Sequence, residues 1–424
     1  MSIISALYAG VSGMNAMSKG LQVTSNNIAN INTVGFKGSR AEFADILSLA
    51  INTPAGKSQL GRGVRLQAVE GLFHQGSFEN TPLVTDLAIN GAGYFVVSDA
   101  TDTFYTRAGQ FRIDKDGNLV NALGMNVNGY AIEPTGQRSG TRGPINLSSV
   151  TAPPNPTGDG SVEGSGIYIN LNLDPRDGVK TFDITKPTDA SSCNYSTAVT
   201  VYDSLGGAHT TLICLNMTAD NTWAWHAVVD GGELTGGTAG VFQEQASGTL
   251  AFDTNGHLTT QTTTTSAFNF KGGTAQNQAI GLNFTGTTQT MSSSSVNSLR
   301  QDGFAAGSLQ AIDIDREGVI TGVFSNGASR PVAQLSIASF AAENNLFRTG
   351  NSLFAETPES GQPIYSVANT GSNGTVAANT LELSNVDLTE EFVNLITTER
   401  AFQANTKVVT TGDSMLETVI NMKR

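Results

Sequence analysis

Asp387-Leu388-Thr389-Glu390-Glu391-Phe392-Val393-Asn394-Leu395-Ile396 begins the stretch on which the fold turns. From it an apolar stripe runs through Leu388, Phe392, Leu395, Phe402, Val409, Leu416 and Ile420, broken by Glu399, Thr406 and Asp413. That three-four spacing is one face of a helix. Asp387 is placed to accept from the first free amides while Glu390 reaches back, a capping box. Lys423 and Arg424 stand where positive charge complements the negative helix end. The other end of the chain repeats the pattern, with Ile4, Leu7, Val11, Met14, Leu21 and Ile28 on one face between Ile4 and Asn30. Helices this short and broken draw their stability from packing, so something must cover them. Either the two pair antiparallel inside one molecule, or neighbouring subunits bury the stripes and couple order at the ends to assembly. The length and spacing of the C-terminal stripe favour contact between subunits. The interface residues expected are Leu7, Val11, Met14, Leu21 and Ile28, with Phe392, Leu395, Phe402, Val409 and Leu416.

Between the ends the period changes to two. Ile167, Ile169, Leu171 and Leu173 alternate with Tyr168, Asn170 and Asn172, as a strand with one buried face requires. Similar strands are expected around Tyr94 to Val97, Val199 to Tyr202, Thr210 to Leu215, Trp223 to Val229, Val319 to Phe324 and Val332 to Phe340. Three segments share one pattern: Ile113-Asp114-Lys115-Asp116-Gly117, Phe252-Asp253-Thr254-Asn255-Gly256 and Ile314-Asp315-Arg316-Glu317-Gly318. An Asp capping a tight turn, followed by Gly where φ is positive, accounts for all three. A calcium loop does not, because Phe324 stands where the third copy needs its closing Glu. Linker composition at 152–160 and at Ser292 to Ser295 brackets an insert. The fold class expected is therefore multidomain and mainly β, with α-helical termini and discontinuous nested domains. Residues 1–32 with 385–424 form the helical domain, 33–85 with 362–384 a junction, 86–145 with 296–361 a middle β domain, and 146–295 the insert.

At 424 residues the chain is long enough for several cores. Its net charge of -13 argues against nucleic acid, which needs clustered Lys and Arg. The N-terminus has no charge before Lys19 and no continuous apolar centre, so a cleavable signal is not expected, nor is membrane insertion. Four scattered His and two Cys suggest no metal site and no disulfide framework. Cys193 and Cys214 read as buried thiols, or as one bridge if their strands are neighbours. No nucleophile elbow, paired metal-binding His or phosphate loop is present, so no catalytic residue is assigned. Gly91-Ala92-Gly93 leads into a strand and lacks a third Gly, so no cofactor is expected either. Trp223 and Trp225 share one strand face and read as core. A secreted β-rich carbohydrate-binding protein would fit the middle but not the helical ends.

Ser12-Gly13-Met14-Asn15-Ala16 and Ser25-Asn26-Asn27-Ile28-Ala29-Asn30-Ile31-Asn32-Thr33-Val34-Gly35-Phe36-Lys37 resemble the N-terminal signature of the flagellar rod and hook family. Ser384-Asn385-Val386-Asp387-Leu388 and Glu399-Arg400-Ala401-Phe402-Gln403-Ala404-Asn405 resemble its C-terminal partner. Arg107-Ala108-Gly109-Gln110-Phe111, Gly129-Tyr130 and 303–361 are similar to the domain shared by distal rod and hook. The insert, with Val201-Tyr202-Asp203-Ser204-Leu205-Gly206, resembles the hook's outer domain and favours the hook branch over the rod branch. The resemblance implies a helical homopolymer, with terminal helices as the inner wall of a tube and β domains outside. It implies a bending joint that passes torque from rod to filament. The partners it implies are other copies of the chain, the distal rod protein, the hook cap protein, the hook-filament junction proteins and the flagellar type III export apparatus. Asn30, Asn32, Gly35 and Phe36 would fix the angle between helix and β layers. Some members carry a Cys-Lys cross-link, for which Lys180 is a lysine near Cys193.

Overall fold

The computed structural model describes residues 3–46, 49–53, 56–99, 101–133, 135–148 and 150–422. Lys423 and Arg424, expected to complement the C-terminal helix end, lie outside them. Two helices occupy the ends: α1, Ile3–Ala29, and α2, Leu388–Asn421. Asp387 caps α2, its Oδ1 accepting from the amides of Thr389 at 2.7 Å and Glu390 at 3.1 Å.

The helices pair antiparallel within the chain. Leu7 packs at Gly412, Gly10 at Val409, Gly13 at Asn405 and Gly20 at Thr398. On α1 the seam is a line of small and polar residues: Gly10, Gly13, Ala16, Gly20, Thr24 and Asn27 are the buried ones. A Cβ at Gly13 would stand 2.6 Å from Asn405 Oδ1, so glycine is what lets the backbones approach. Small residues carry no hydrophobic signal, which is why, Leu7 apart, the buried line of α1 does not show in its apolar stripe. On α2 the inward side does follow three-four spacing, through Glu391, Leu395, Thr398, Phe402, Asn405, Val409, Gly412 and Leu416, all half-buried.

The chain divides into two units. The first comprises Met1–Ser149, Ile312–Gly322 and Pro331–Arg424. Besides the helices it holds a sheet in which the strand Tyr94–Ser98 lies between Asn126–Ile132 and Thr103–Thr106. Leu353–Ala355 and Phe347–Gly350 extend it. Tyr94, Val96, Tyr105, Phe340 and Phe354 pack as its core. Early and late segments interleave: Phe78–Asn80 pairs with Thr380–Glu382, and Leu87–Asn90 with Thr375–Ala378.

The second unit comprises Val150–Ala311 and Val323–Arg330, so it continues past residue 295. A five-stranded antiparallel sheet runs in chain order through Tyr195–Tyr202, Ala208–Ala219, Thr222–Asp230, Phe242–Phe252 and Leu258–Ser266. A second sheet is built on Ile167–Leu173, whose Ile167, Ile169, Leu171 and Leu173 meet Ile213, Trp223, Trp225 and Phe284 in one core. Both tryptophans are fully buried, as core residues should be. The three Asp-Gly segments are turns. Asp114 accepts from the amides of Asp116 and Asn118, Asp253 from Asn255 and His257, and Asp315 from Val319. Gly117, Gly256 and Gly318 have φ of 79°, 79° and 71°.

The expectation of free thiols is corrected. Cys193 and Cys214 are bridged, with Cα atoms 5.8 Å apart. Cys193 lies just before a strand whose Ser196 pairs with Cys214, so register brings the sulfurs together. Lys180 places its ammonium on the Cys193 carbonyl oxygen at 3.2 Å, while the sulfur is taken up by the bridge. The bridged residues are 21 apart in sequence. Closing a loop of this size stabilises by about 3 kcal/mol in the chain-entropy account. Cys193→Ser should therefore lower the urea midpoint of the second unit, and reduction of the unmodified chain should lower it equally. An unchanged midpoint in both would show that the bridge contributes nothing.

Candidate functional site

With no catalytic set assigned, the site to examine is the helix pair and the junction below it. Eight of the ten interface candidates, Leu7, Met14, Leu21, Ile28, Leu395, Phe402, Val409 and Leu416, are half-buried within the single chain. Leu7 and Val409 lie in the seam itself, and Met14 Sδ takes the Thr406 hydroxyl at 3.3 Å. The intramolecular pairing thus uses part of the surface expected to meet neighbours. Val11 and Phe392 are different, at 40% and 48% exposed. They belong to an exposed apolar set of which the stripes in the sequence included Leu388 and Ile4 besides these two, and missed the rest. On α2 this set includes Leu388, Ile396, Val408, Met415 and Val419, and on α1 it includes Ile4 and Tyr8, all exposed. A helix pair with its seam satisfied and exposed apolar residues on the flanks beside it has surface left for a partner.

At the junction α1 ends where its side chains can close it. Asn30 donates from Nδ2 to the Asn26 carbonyl at 2.9 Å and accepts from the Thr33 hydroxyl. Asn32 is exposed. Gly35 turns the chain at φ 67°, and its amide donates to the Glu382 carbonyl at 2.7 Å. Phe36 is half-buried, and its carbonyl accepts from the Asn385 amide. Of the four residues expected to form the junction, Asn30, Gly35 and Phe36 make these bonds and Asn32 is exposed.

More of the junction was hidden in the sequence. Asn27 donates to the Ser39 carbonyl and to Glu391 Oε1, both at 2.7 Å, and accepts from the Ser39 amide. Asn385 accepts from the Gly38 amide and donates to the carbonyls of Leu72 and His74. Arg348 donates to the carbonyls of Lys37 and Gly38. Beneath these bonds Lys37 Nζ meets Glu382 Oε1 at 2.5 Å, and Arg107 Nη1 meets Glu382 Oε2 at 3.3 Å. All three residues are nearly inaccessible to solvent. Burial pushes the Lys37 ammonium below its usual range, and the Glu382 carboxylate works against that shift. Lys37 closes a quoted motif and Arg107 opens another. A lysine or arginine so close to a structural turn was the available signal.

Comparison with known proteins agrees with this layout. Residues 7–37 match the family described as flagella basal body rod protein. Residues 88–194 match the flagellar hook protein FlgE/F/G D1 domain, and 170–304 the flagellar basal body protein FlaE D2 domain. Residues 377–422 match the flagellar basal body rod FlgEFG protein C-terminal family. Flagellar hook protein FlgE of Treponema pallidum is 34% identical, with 99% of each chain covered. That of Borreliella burgdorferi is 30% identical, again with 99% of each covered. That of Salmonella typhimurium is 34% identical over 97% of this chain and 98% of its own.

Proposed function

The chain belongs to the flagellar hook protein family, a structural component of the bacterial flagellum, and on that premise we propose that it polymerises through its terminal helix pair. The observation that carries this reading is an exposed apolar stripe at the start of α2. Leu388, Phe392 and Ile396 stand four residues apart on α2, exposed at 41%, 48% and 48%. Copies of the same chain, repeated around a helical axis, cover such a face without a second kind of subunit. The helix pairs then form the inner wall of a tube. Val11, Phe392 and the exposed parts of the half-buried residues make contacts between subunits, while Asn30, Asn32, Gly35 and Phe36 set the angle at which each pair leaves its β region.

The tube acts as a bending joint that passes torque from rod to filament, which requires inner contacts that persist while outer ones slide. Its neighbours at the ends are the distal rod protein, the hook cap protein and the hook-filament junction proteins. The chain leaves the cell through the flagellar type III apparatus and works outside the cell. Its work is mechanical and not catalytic. Electron microscopy of cells lacking the gene should show basal bodies with a rod and no hook, and the purified chain should form curved tubes. Normal hooks on the deletion strain would overturn this reading.

A further inference from the structure

Lys37 and Glu382 are 345 residues apart, and each stands where a terminal helix joins the β region: Lys37 shortly after α1 ends, Glu382 shortly before α2 begins. Glu382 is 0% exposed, Lys37 1% and Arg107 3%. The Glu382 carboxylate accepts from Lys37 Nζ and the Gly76 amide on one oxygen and from Arg107 on the other. Lys37 donates besides to the His74 carbonyl. Arg107 donates to the carbonyls of Ile89 and Gly91 and lies over the Tyr94 ring, 5.2 Å from its centroid. Among these contacts two cations share a single anion.

That imbalance has a direction. A buried charge that loses its partner costs far more than the intact pair ever contributed. If the N-terminal arm lifts away, Lys37 goes to water and Glu382 keeps Arg107. If the C-terminal arm lifts away, Lys37 and Arg107 remain facing each other with no carboxylate between them. Arg107 cannot shed its charge. Lys37 could stay only by giving up its proton well below the usual lysine range, so on its flexible stem it leaves instead, and its arm leaves with it.

We propose that Glu382 is a charge lock that seats the two terminal arms as one unit, the N-terminal arm staying docked only while the C-terminal arm supplies its carboxylate. The lock is internal to the chain and stands apart from the polymer contacts proposed above. It keeps the bases of α1 and α2 together, so the outward face of the pair is presented whole or not at all.

Hydrogen exchange on the full-length chain tests it, read over residues 30–38 and 378–386. Glu382→Gln keeps the shape and removes the charge. It should speed exchange in both segments by about 100-fold, the lower end of what breaking a buried pair costs. Lys37→Met alone should affect 378–386 less than tenfold. Adding Lys37→Met to Glu382→Gln should restore at least tenfold of the protection lost from 30–38, because the stranded cation is gone. Four results would overturn the lock. One is Glu382→Gln leaving 30–38 protected. Another is a double variant with the summed losses of the singles. The third is equal opening of Tyr94–Ser98 and Asn126–Ile132, which would make Glu382 an ordinary core residue. Rapid exchange of 30–38 in the unmodified chain would also overturn it.

Discussion

Phe392→Glu combined with Ile396→Glu should abolish polymerisation and leave the monomer as stable as before. Both side chains are 48% exposed in the single chain, so their replacement removes little internal packing. Surface changes of that kind shift stability by about 0.5 kcal/mol or less. Glu is a good helix former, so both positions of α2 accept it. In a tube the balance reverses. Burying a Phe or Ile contributes about 1.5–3 kcal/mol, and an unpaired carboxylate pushed into the same contact costs more than is lost. The critical concentration for assembly should rise by more than about 100-fold. Sedimentation of the purified variant under polymerising conditions checks this, with its thermal transition measured alongside. Phe402→Glu is the contrast. Phe402 is half-buried against its own chain, so that variant should lose monomer stability as well. Tubes from the Phe392/Ile396 variant at the normal concentration would place the contact elsewhere on the molecule.

How far such an interface was legible depended on the kind of residue. The α2 helix declared itself, because Leu395, Phe402, Val409 and Leu416 keep their spacing and Asp387 caps the start. Alternation found the strands, and local turn chemistry found Asp114, Asp253 and Asp315, whose partners are four residues away or fewer. The seam of α1 escaped because Gly10, Gly13 and Gly20 matter for what they lack. The Lys37–Glu382 pair escaped for another reason, and the Cys193–Cys214 bridge was legible only as the second of two alternatives. Each depends on which strands become neighbours, and register between distant segments is not written in either segment alone. Phe392, the α2 candidate left most exposed, stands beside the seam where no hydrophobic count separates the two, since apolar residues lie both in the seam and on its flank.

Gly35→Ala should destabilise the first unit by about 2–5 kcal/mol. At φ 67° any other residue pays about 1–2 kcal/mol for the left-handed conformation. Here the added Cβ would also stand 2.5 Å from the Ala108 amide nitrogen and 2.6 Å from the Arg107 carbonyl carbon. Those are backbone atoms on the far side of a fixed turn, unable to swing away as a side-chain tip does. Overpacking of this kind costs about 1–3 kcal/mol more. The push falls on the segment that carries Arg107, so the strain enters the cluster that holds Glu382. Gly124→Ala separates the two costs, since Gly124 has φ 83° and nothing within 4 Å of its added Cβ. Both tryptophans of the chain, Trp223 and Trp225, lie in the second unit, so their fluorescence follows that unit by itself. Gly35→Ala should bring forward the far-UV circular dichroism transition and leave the tryptophan transition in place. Gly124→Ala should move the former by less. Equal shifts for the two variants would mean that the junction yields to the methyl and that Gly35 is kept for its φ alone.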